Sequence, residues 1–226
     1  MRISNFSLGI GIPLSFQMIP SAFFDSFISM EKPPFVYHRT SNGPIDEMRN
    51  NIVRGAIQAG NTHLIMMDVD QCYHTQTITK LLAHKLPVVG ALVYRRYPPF
   101  DPLMLKGTML KYQTIMEWEP ESLVEVEATG IGCLLFDMQV FHKMPAPWFR
   151  ARREPKTGQP IGEDIGFCAD LRAAGYRIFV DTSIPAGHLS QIQITEGMWK
   201  LYRKMSQAEV DAHRKEHGVL SAVQQP

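Results

Sequence analysis

Long apolar runs, cysteines and an excess of either charge are all scarce in this sequence. No apolar stretch reaches the roughly 18 residues that a transmembrane helix needs. The three cysteines, Cys72, Cys133 and Cys168, form no CxxC pair, so neither a disulfide framework nor a zinc ribbon is expected. The 23 Lys and Arg residues nearly balance the 22 Asp and Glu residues, and a net charge of +1 disfavours a general binder of nucleic acid or anionic membranes. Reduced thiols are typical of a cytoplasmic protein, which is the predicted location.

The composition is typical of a folded globular chain. Of the 226 residues, 45% are hydrophobic and 20% are charged, which supplies a core without disulfides or a structural metal. We find no internal repeat, low-complexity tract or linker that would split the chain. The sequence therefore predicts one domain over residues 1–195, followed by a helical tail over residues 196–226.

Apolar runs alternate with amphipathic patterns, which predict strands and helices respectively. The predicted strands are Leu8–Pro13, Pro34–His38, His63–Met67, Pro87–Val93, Met109–Glu117, Leu123–Ala128, Gly132–Phe136 and Tyr176–Val180. The predicted helices are Ser21–Met30, Ile45–Ala59, Thr75–His84, a short helix that ends near Lys143, Ile165–Ala174, and a tail helix from the capping box Ser206 and Glu209 to Gly218. Trp148–Gly162 is predicted to be a loop. This order favours an α/β fold with a mixed, mostly parallel sheet flanked by helices.

Two carboxylates follow the predicted strand His63–Met67. Asp68 and Asp70 stand at its carboxyl end, where open α/β sheets bind their ligands. Side chains two residues apart share one face of an extended strand, and carboxylates that close repel each other unless a cation neutralises them. Hard divalent cations bind such oxygens and bridge them to phosphates. The alternative is an acidic turn that caps the helix beginning at Thr75.

Two further features could carry chemistry. Glu163 and Asp164 open a predicted helix, where acidic side chains complement the helix dipole. A carboxylate at that place could also serve as a general base that deprotonates a hydroxyl group. His188 follows the predicted strand Tyr176–Val180, and a lone histidine is more often structural than a metal ligand.

Taken in order, these features resemble the GT-A nucleotide-sugar glycosyltransferases, in particular the family-2-like branch that includes small bacterial and phage members. The resemblance runs from about Ile10 to about Ser190. Asp-x-Asp alone is a common pattern, whereas the ordered set is specific. The set comprises Gly11–Pro13, Arg49–Val53, Leu64–Asp70, Val88–Val93 with Arg95 and Arg96, Ala128–Phe136, Pro147–Phe149, Gly162–Cys168, Ala174–Ile178 and Gly187–His188.

The resemblance implies a nucleotide-binding and metal-binding set. Asp70 and His188 would hold a Mn²⁺ or Mg²⁺ ion that bridges the donor diphosphate. Asp68 would complete the metal site or face the ribose and a metal-bound water. Pro13 and Arg49 would lie near the nucleotide.

The resemblance also implies a base and a sugar-binding set. Asp164 would be the general base, with Glu163 beside it. Near the donor sugar or the acceptor it implies two glycines and two aromatic residues, Gly130, Gly132, Trp148 and Phe149. Each has a plainer interpretation, because glycines also suit tight turns and aromatic side chains also fill cores.

Together these implications predict a metal-dependent glycosyltransferase of the hexosyl or a related type. A base opposite the leaving nucleoside diphosphate favours inversion at the anomeric carbon, with retention as the open alternative. The acceptor is open between a glycan, a protein and a modified nucleic acid. A processive synthase is disfavoured, because the sequence contains no QxxRW-type motif. The tail either docks on the domain or supports a homo-oligomer.

Three other hypotheses share part of the pattern. A haloacid-dehalogenase-like phosphatase requires a small Thr or Val soon after Asp-x-Asp, where this chain has Gln71 and Cys72. A nucleotidyltransferase would need an early Gly-rich phosphate loop, which this sequence lacks. The remaining alternative is a catalytically inactive GT-A domain that binds nucleotide-sugar or glycan. The presence of Asp68, Asp70, Asp164 and His188 argues against it, because a degenerate copy tends to lose one of them.

Overall fold

The computed structural model of this chain describes residues 6–14, 18–191 and 193–216. The chain divides into two units, residues 1–190 and 191–226. The strands are β1 (Leu8–Leu14), β2 (Phe35–Ser41), β3 (His63–Met67), β4 (Gln71–Cys72), β5 (Val88–Val93), β6 (Leu105–Lys106), β7 (Gln113–Thr114), β8 (Leu123–Val126), β9 (Cys133–Asp137), β10 (Arg152–Arg153), β11 (Pro160–Ile161) and β12 (Ile178–His188). The helices are α1 (Ser21–Ser29), α2 (Ile45–Gln58), α3 (Thr77–Ala83), α4 (Gln139–Lys143), α5 (Glu163–Ala173), α6 (Glu196–Tyr202) and α7 (Gln207–Glu216).

The first unit is built on one mixed sheet with the order β2-β1-β3-β9-β5-β12-β4, and β8 also pairs with β12. β1 is parallel to β2 and β3, and β5 is parallel to β12. β9 lies antiparallel between β3 and β5, so those two strands share a direction. Among the described strands of this sheet, five therefore run one way, and β4, β8 and β9 run the other. The predicted α/β class with a mixed, mostly parallel sheet is confirmed.

Helices cover both faces of the sheet, because its central strands are apolar on both sides. In β3, Leu64 and Met66 belong to one buried cluster, and Ile65 and Met67 belong to the other. α2, α4 and α5 contribute to the first cluster, and α1 and α3 contribute to the second. A strand buried on both faces is a continuous apolar run in the sequence, and β3 has the bounds that the sequence predicts.

A glycine lets α2 lie close against β1. A Cβ atom at Gly11 would stand 2.4 Å from Cγ2 of Ile52 on α2, so a larger residue would push the helix away. Arg49 lies three residues before Ile52 on the same helix face. The close packing of α2 therefore brings the Arg49 side chain to the carboxyl ends of the strands.

The predicted elements differ from the structure most in the second half of the first unit. The sequence predicts a strand over Met109–Glu117, but in that range the structure has the two-residue β7, which pairs with β6. The predicted loop Trp148–Gly162 contains the short hairpin of β10 and β11. β12 continues beyond the predicted end at Val180, and its register shifts between Asp181 and Pro185. Such an irregularity accommodates a proline, which has no N–H group for the ladder.

The second unit contains α6 and α7. The capping box opens α7 as the sequence predicts, because Ser206 N donates to Glu209 Oε2 at 2.6 Å and Glu209 N donates to Ser206 Oγ at 3.3 Å. α6 lies within the predicted helical tail, although no bounds are predicted for it, and Thr195 caps it by accepting a hydrogen bond from Met198 N at 3.4 Å. The predicted helix end at Gly218 lies outside the described residues.

All three cysteines lie in the described part of the chain as free thiols. Burial raises the pKa of both Cys133 and Cys168 to about 12, which makes them poor nucleophiles at neutral pH.

Among the helices of the described residues, none has both the length and the apolar character needed to cross a membrane.

Candidate active site

A cavity of about 800 Å³ opens at the carboxyl ends of the parallel strands. Pro13 near the end of β1, Asp68 just after β3 and His188 at the end of β12 all line it. This is the position at which ligands bind in open α/β sheets. The sequence-predicted residues that line it are Pro13, Arg49, Asp68, Asp70, Gly130, Gly132, Glu163, Asp164 and His188.

Arg49 joins two carboxylates that come from distant parts of the chain. Its Nη2 donates to both oxygens of Asp68, at 3.1 and 3.2 Å. Its Nη1 donates to Glu163 Oε1 at 2.5 Å. Arg49 is 4% exposed, so these charges compensate each other away from bulk water.

The same contacts set the ionisation of this group. Burial acts to lower the pKa of Arg49, but the carboxylates of Asp68, Glu163 and Asp164 outweigh it and raise that pKa. Burial raises the pKa of Glu163, and the neighbouring Asp164 raises it further, while Arg49 opposes both. Arg49 is therefore a fixed cation, and Glu163 is its closest anionic partner.

Asp70 forms a second group with His188 and Arg96. Asp70 Oδ2 lies 2.9 Å from Arg96 Nη1 and 3.4 Å from His188 Nε2. The backbone sets this arrangement, because β4 pairs with the end of β12 and matches His188 to Gln71, and Leu189 N donates to the Asp70 carbonyl at 2.7 Å. The hydrogen bond to Asp70 is the main cause of a raised His188 pKa, which burial opposes. Burial acts to raise the pKa of Asp70, but His188 and Arg96 together lower it.

The tautomer of His188 bears on whether this group fits a metal ion. His188 Nδ1 lies 2.6 Å from the Tyr94 carbonyl oxygen, which can only accept, so Nδ1 carries a proton. In the neutral ring, Nε2 then presents a lone pair toward Asp70. One imidazole nitrogen beside one carboxylate oxygen suits a divalent ion such as Mn²⁺.

Asp68 does not join that pair, because Arg49 holds both of its oxygens. In the described residues there is no cluster of three or more His, Cys, Asp and Glu side chains that could hold a metal ion. Asp70 and His188 therefore fit an open metal site whose other ligands come from substrate and water, rather than a closed protein site. The metal role predicted for Asp68 stays a prediction.

Asp164 lies at the start of α5 and lines the cavity beside Glu163. Its Oδ1 accepts a hydrogen bond from Ile165 N at 2.7 Å. Gly162 leaves room for this carboxylate, since a Cβ there would lie 2.5 Å from Asp164 Oδ1. The carboxylate thus stands at the N-terminus of α5, beside the positive end of the helix dipole.

Gly132 and Gln71 form the wall next to Asp68. A Cβ at Gly132 would lie 2.1 Å from Gln71 Nε2 and 2.8 Å from Asp68 Oδ2, so a larger residue there would displace these side chains. Gln71 is 2% exposed, and its buried Oε1 has no hydrogen-bond partner in the described part of the chain. The Tyr73 hydroxyl lies 2.7 Å from the carbonyl oxygens of both Asp68 and Gly132, which holds this wall together.

Trp148 and Phe149 lie in the core rather than in the cavity lining. They are 6% and 1% exposed, and Phe149 packs on Phe167 with ring centroids 4.5 Å apart. Asn50 fixes this segment, since its Oδ1 accepts from the backbone N–H groups of both Trp148 and Phe149. The structure does not bring these two aromatic residues to the acceptor position that the resemblance implies, because their burial fills the space between α5 and the sheet.

Two further residues of this cavity, Gln71 and Arg96, have no role predicted from the sequence. Arg96 appears there as part of a motif, but its pairing with Asp70 depends on the fold. Gln71 appears as a departure from the phosphatase pattern, although its position directly after Asp70 already placed it near the site. The position of Gln71 after Asp70 is therefore a signal that the sequence carries, whereas the pairing of Arg96 with Asp70 has none.

Solved structures share this fold. A197 from STIV matches with a TM-score of 0.55 at 15% identity, over 84% of this chain and 97% of that chain. GalNAc-T7, crystallised with UDP, GalNAc and Mn²⁺, matches with a TM-score of 0.58 at 11% identity, over 83% of this chain and 44% of that chain. S. aureus TarS 1–349, crystallised in complex with UDP-GlcNAc, matches with a TM-score of 0.52 at 11% identity, over 91% of this chain and 70% of that chain.

No protein-family model matches the chain, and a search of curated proteins found no match. The structural matches, together with the mixed sheet and the helices on both faces, show that the chain has the GT-A fold. This confirms the fold that the ordered motifs imply. At such low identity the likeness establishes fold alone, so activity depends on the chemistry of the site.

Proposed function

We propose that this chain is a metal-dependent glycosyltransferase that moves a sugar from a nucleoside-diphosphate donor to an acceptor hydroxyl. The observation that carries the proposal is the pairing of Asp70 Oδ2 with His188 Nε2 at 3.4 Å, while His188 Nδ1 donates a hydrogen bond to the Tyr94 carbonyl oxygen. Two solved structures with this fold add support, because GalNAc-T7 was crystallised with UDP, GalNAc and Mn²⁺, and TarS with UDP-GlcNAc.

Asp70 and His188 hold the cation in this proposal, and Mn²⁺ or Mg²⁺ is the expected ion. When bound, such an ion neutralises the negative charge that develops on the leaving diphosphate. Arg49 keeps Asp68 in one orientation through two hydrogen bonds, which suits Asp68 to accept from the ribose or from a metal-bound water. Pro13 lines the same cavity, and we assign it a place beside the nucleotide.

Asp164 is the proposed general base. It accepts the proton of the acceptor hydroxyl while the acceptor oxygen bonds to the anomeric carbon. The bond from that carbon to the diphosphate oxygen breaks, and the leaving group keeps the electron pair. Attack opposite the leaving group inverts the anomeric carbon. Glu163 binds Arg49, so we assign it a positioning role and give the proton transfer to Asp164.

Trp148 and Phe149 are buried, so an aromatic contact with the acceptor would have to come from another residue. Tyr97 is exposed and lines the same cavity, on the loop that follows β5. An exposed aromatic ring at a cavity mouth suits the apolar face of a sugar. Tyr97 is therefore the proposed acceptor contact, and the acceptor class stays open between glycan, protein and modified nucleic acid.

Donor hydrolysis tests the proposal directly. We would incubate the full chain with a panel of nucleotide-sugars in Mn²⁺, Mg²⁺ or EDTA and measure nucleoside diphosphate release. The expected result is cation-dependent release from one donor. Asp70→Ala and His188→Ala should lose it, whereas the matched exposed controls Asp25→Ala and His142→Ala should keep it.

The alternative, an inactive GT-A domain that binds nucleotide-sugar or glycan, gives a different result. It predicts cation-dependent donor binding by calorimetry without release of nucleoside diphosphate, even when glycan, protein and nucleic-acid acceptors are supplied. If neither binding nor release of any donor depends on the cation, the metal-dependent proposal is wrong.

A further inference from the structure

Arg96 forms an ion pair with Asp70, the carboxylate that the proposed metal site needs. Arg96 Nη1 lies 2.9 Å from Asp70 Oδ2, and the same oxygen faces His188 Nε2. A guanidinium and a divalent cation held by one carboxylate repel each other, so each weakens the binding of the other. The free protein therefore holds Asp70 in a neutralised pair.

Hydrogen bonds fix the backbone around Arg96, whereas its side chain is half-exposed and is held by its ion pair with Asp70. Arg95 N donates to Asp101 O at 2.9 Å, and Leu103 N donates to Val93 O at 2.7 Å, which closes the base of this loop. Ser190 Oγ donates to the Arg96 carbonyl at 3.0 Å. The Arg96 side chain is 45% exposed, and its guanidinium lies 5.9 Å from the centroid of the Tyr97 ring. The guanidinium can leave Asp70 without a change in the loop.

The charge of the cavity indicates where the guanidinium would go. Its described lining carries five carboxylates and three arginines, namely Asp68, Asp70, Asp101, Glu163, Asp164, Arg49, Arg95 and Arg96. Arg49 is committed to Asp68 and Glu163. A displaced Arg96 could meet Asp101 or Asp164, which line the same cavity. A diphosphate carries more negative charge than one carboxylate, and guanidinium groups bind phosphate oxygens in a bidentate manner, so a bound diphosphate is the stronger partner.

We propose that Arg96 exchanges partners: it neutralises Asp70 in the free protein and binds the donor diphosphate once Asp70 binds the cation. This inference rests on the proposed function and goes beyond it, because it sets how the two ligands depend on each other. Arg96 competes with the cation for Asp70 in the free protein, so the cation alone binds weakly. A diphosphate draws Arg96 away and strengthens cation binding. By reciprocity the cation strengthens diphosphate binding by the same factor.

Two affinities of the full chain test the exchange. The first is the affinity for Mn²⁺ alone, measured by electron paramagnetic resonance of the free ion. Because the ion pair between Arg96 and Asp70 is half-exposed, its loss should have a modest effect, and we expect Arg96→Gln to bind Mn²⁺ about threefold more tightly than the unsubstituted chain. Asp70→Ala should lose this binding. Arg95→Gln is the matched control, because Arg95 lines the same cavity and has no ion pair within the described chain; its effect should be smaller.

The second is the affinity for UDP, GDP, ADP or CDP at saturating Mn²⁺, measured by calorimetry. For whichever nucleotide the unsubstituted chain binds, Arg96→Gln should weaken binding about tenfold, since a charge-assisted hydrogen bond is lost. Tighter metal binding together with weaker diphosphate binding is a result that general damage to the fold does not produce.

Three results would overturn the exchange. These are an Arg96→Gln affinity for Mn²⁺ that is unchanged or weaker, an equal gain in Arg95→Gln, or undiminished diphosphate binding in Arg96→Gln. All three leave Mn²⁺ binding by the unsubstituted chain intact. If that chain binds no Mn²⁺ with or without nucleotide, the metal-dependent function itself is wrong, so the two failures are distinguishable.

Discussion

Arg49 organises the candidate site through a single side chain. Its guanidinium presents five N–H donors in a rigid fork, so it can bind Asp68 and Glu163 at the same time. These two carboxylates follow β3 and open α5, which are distant in the chain. A buried arginine between them both compensates their charge and fixes the distance between the two elements.

At the residue scale, removal of Arg49 should be costly. Arg49→Met leaves Asp68 and Glu163 partly buried without a counter-ion, and we expect a loss of about 3 kcal/mol in the free energy of unfolding. Urea denaturation followed by circular dichroism measures it. The double variant Arg49→Met with Glu163→Gln should recover part of the loss, because one uncompensated charge is gone.

Arg54→Met is the matched control for this prediction. Arg54 lies on the same helix, its side chain is 51% exposed, and its ion pair with Glu47 is 4.0 Å long. We expect it to change the free energy of unfolding by less than about 0.5 kcal/mol. Equal losses for Arg49→Met and Arg54→Met would contradict the prediction.

At the scale of elements, Asp181 connects α3 to β12. His84 Nε2, just after α3, lies 2.8 Å from Asp181 Oδ2, and Ser183 N donates to Asp181 Oδ1 at 2.8 Å. Burial acts to raise the pKa of Asp181, but the hydrogen bonds from His84 and Ser183 outweigh it and lower that pKa. These contacts lie where the register of β12 shifts, so they secure an irregular part of the strand that ends at His188.

The lowered pKa gives this contact a defined pH dependence. A carboxyl group whose pKa is lower in the folded state than in the unfolded state stabilises the fold above the unfolded value of about 3.9, and this stabilisation is lost as the pH falls through the folded value. Asp181→Asn should therefore be less stable than the unsubstituted chain by about 1 kcal/mol at pH 7, the scale of one such hydrogen bond. Below about pH 4 the difference should shrink, because the unfolded chain binds the proton first, and it should vanish once the pH falls through the lower folded value, where the native carboxyl group is also neutral.

Denaturant unfolding at pH values from 3 to 7 checks this prediction. Asp25→Asn, on the exposed face of α1, is the control and should show little difference at any of these pH values. A constant gap between Asp181→Asn and the unsubstituted chain across the range would mean that the Asp181 charge does not stabilise the fold.

At the scale of the whole molecule, the two units differ in what they bury. The hydrophobic clusters described for the first unit draw their buried members from Leu8 to Ala186. In the second unit, Ile194, Trp199 and Leu201 are exposed. A contiguous exposed apolar patch is typical of a surface that associates with another chain. The homo-oligomer interpretation of the tail stays a prediction, and these three residues are where it can be tested.

We expect residues 1–190 to fold alone and to unfold cooperatively, because their cores need no residue of the second unit. The full chain should self-associate, whereas residues 1–190 should be monomeric. Size-exclusion chromatography with light scattering gives both masses, and thermal unfolding checks the fold. A full-length variant with Ile194, Trp199 and Leu201 changed to serine controls for chain length and should also be monomeric. An oligomer of residues 1–190 would place the interface elsewhere.

Local pattern was enough to predict the elements that carry the site. β3 is buried on both faces, so its apolar run and the two aspartates after it are visible in the sequence. The periodic apolar face of α2 and the acidic start of α5 are also local patterns, so both are visible in the sequence. Short strands such as β6 and β7 were not predictable, because two residues of pairing leave no periodicity.

The sequence by itself determined which chemical groups this protein has at the carboxyl ends of its strands. The tertiary structure decided how they pair: Arg49 with Asp68 and Glu163, and Asp70 with both His188 and Arg96. It also decided that Trp148 and Phe149 fill the core. The physical reason is that periodicity records how a segment meets its immediate surroundings, whereas ion pairs between distant segments depend on strand order and helix packing, which no local pattern encodes.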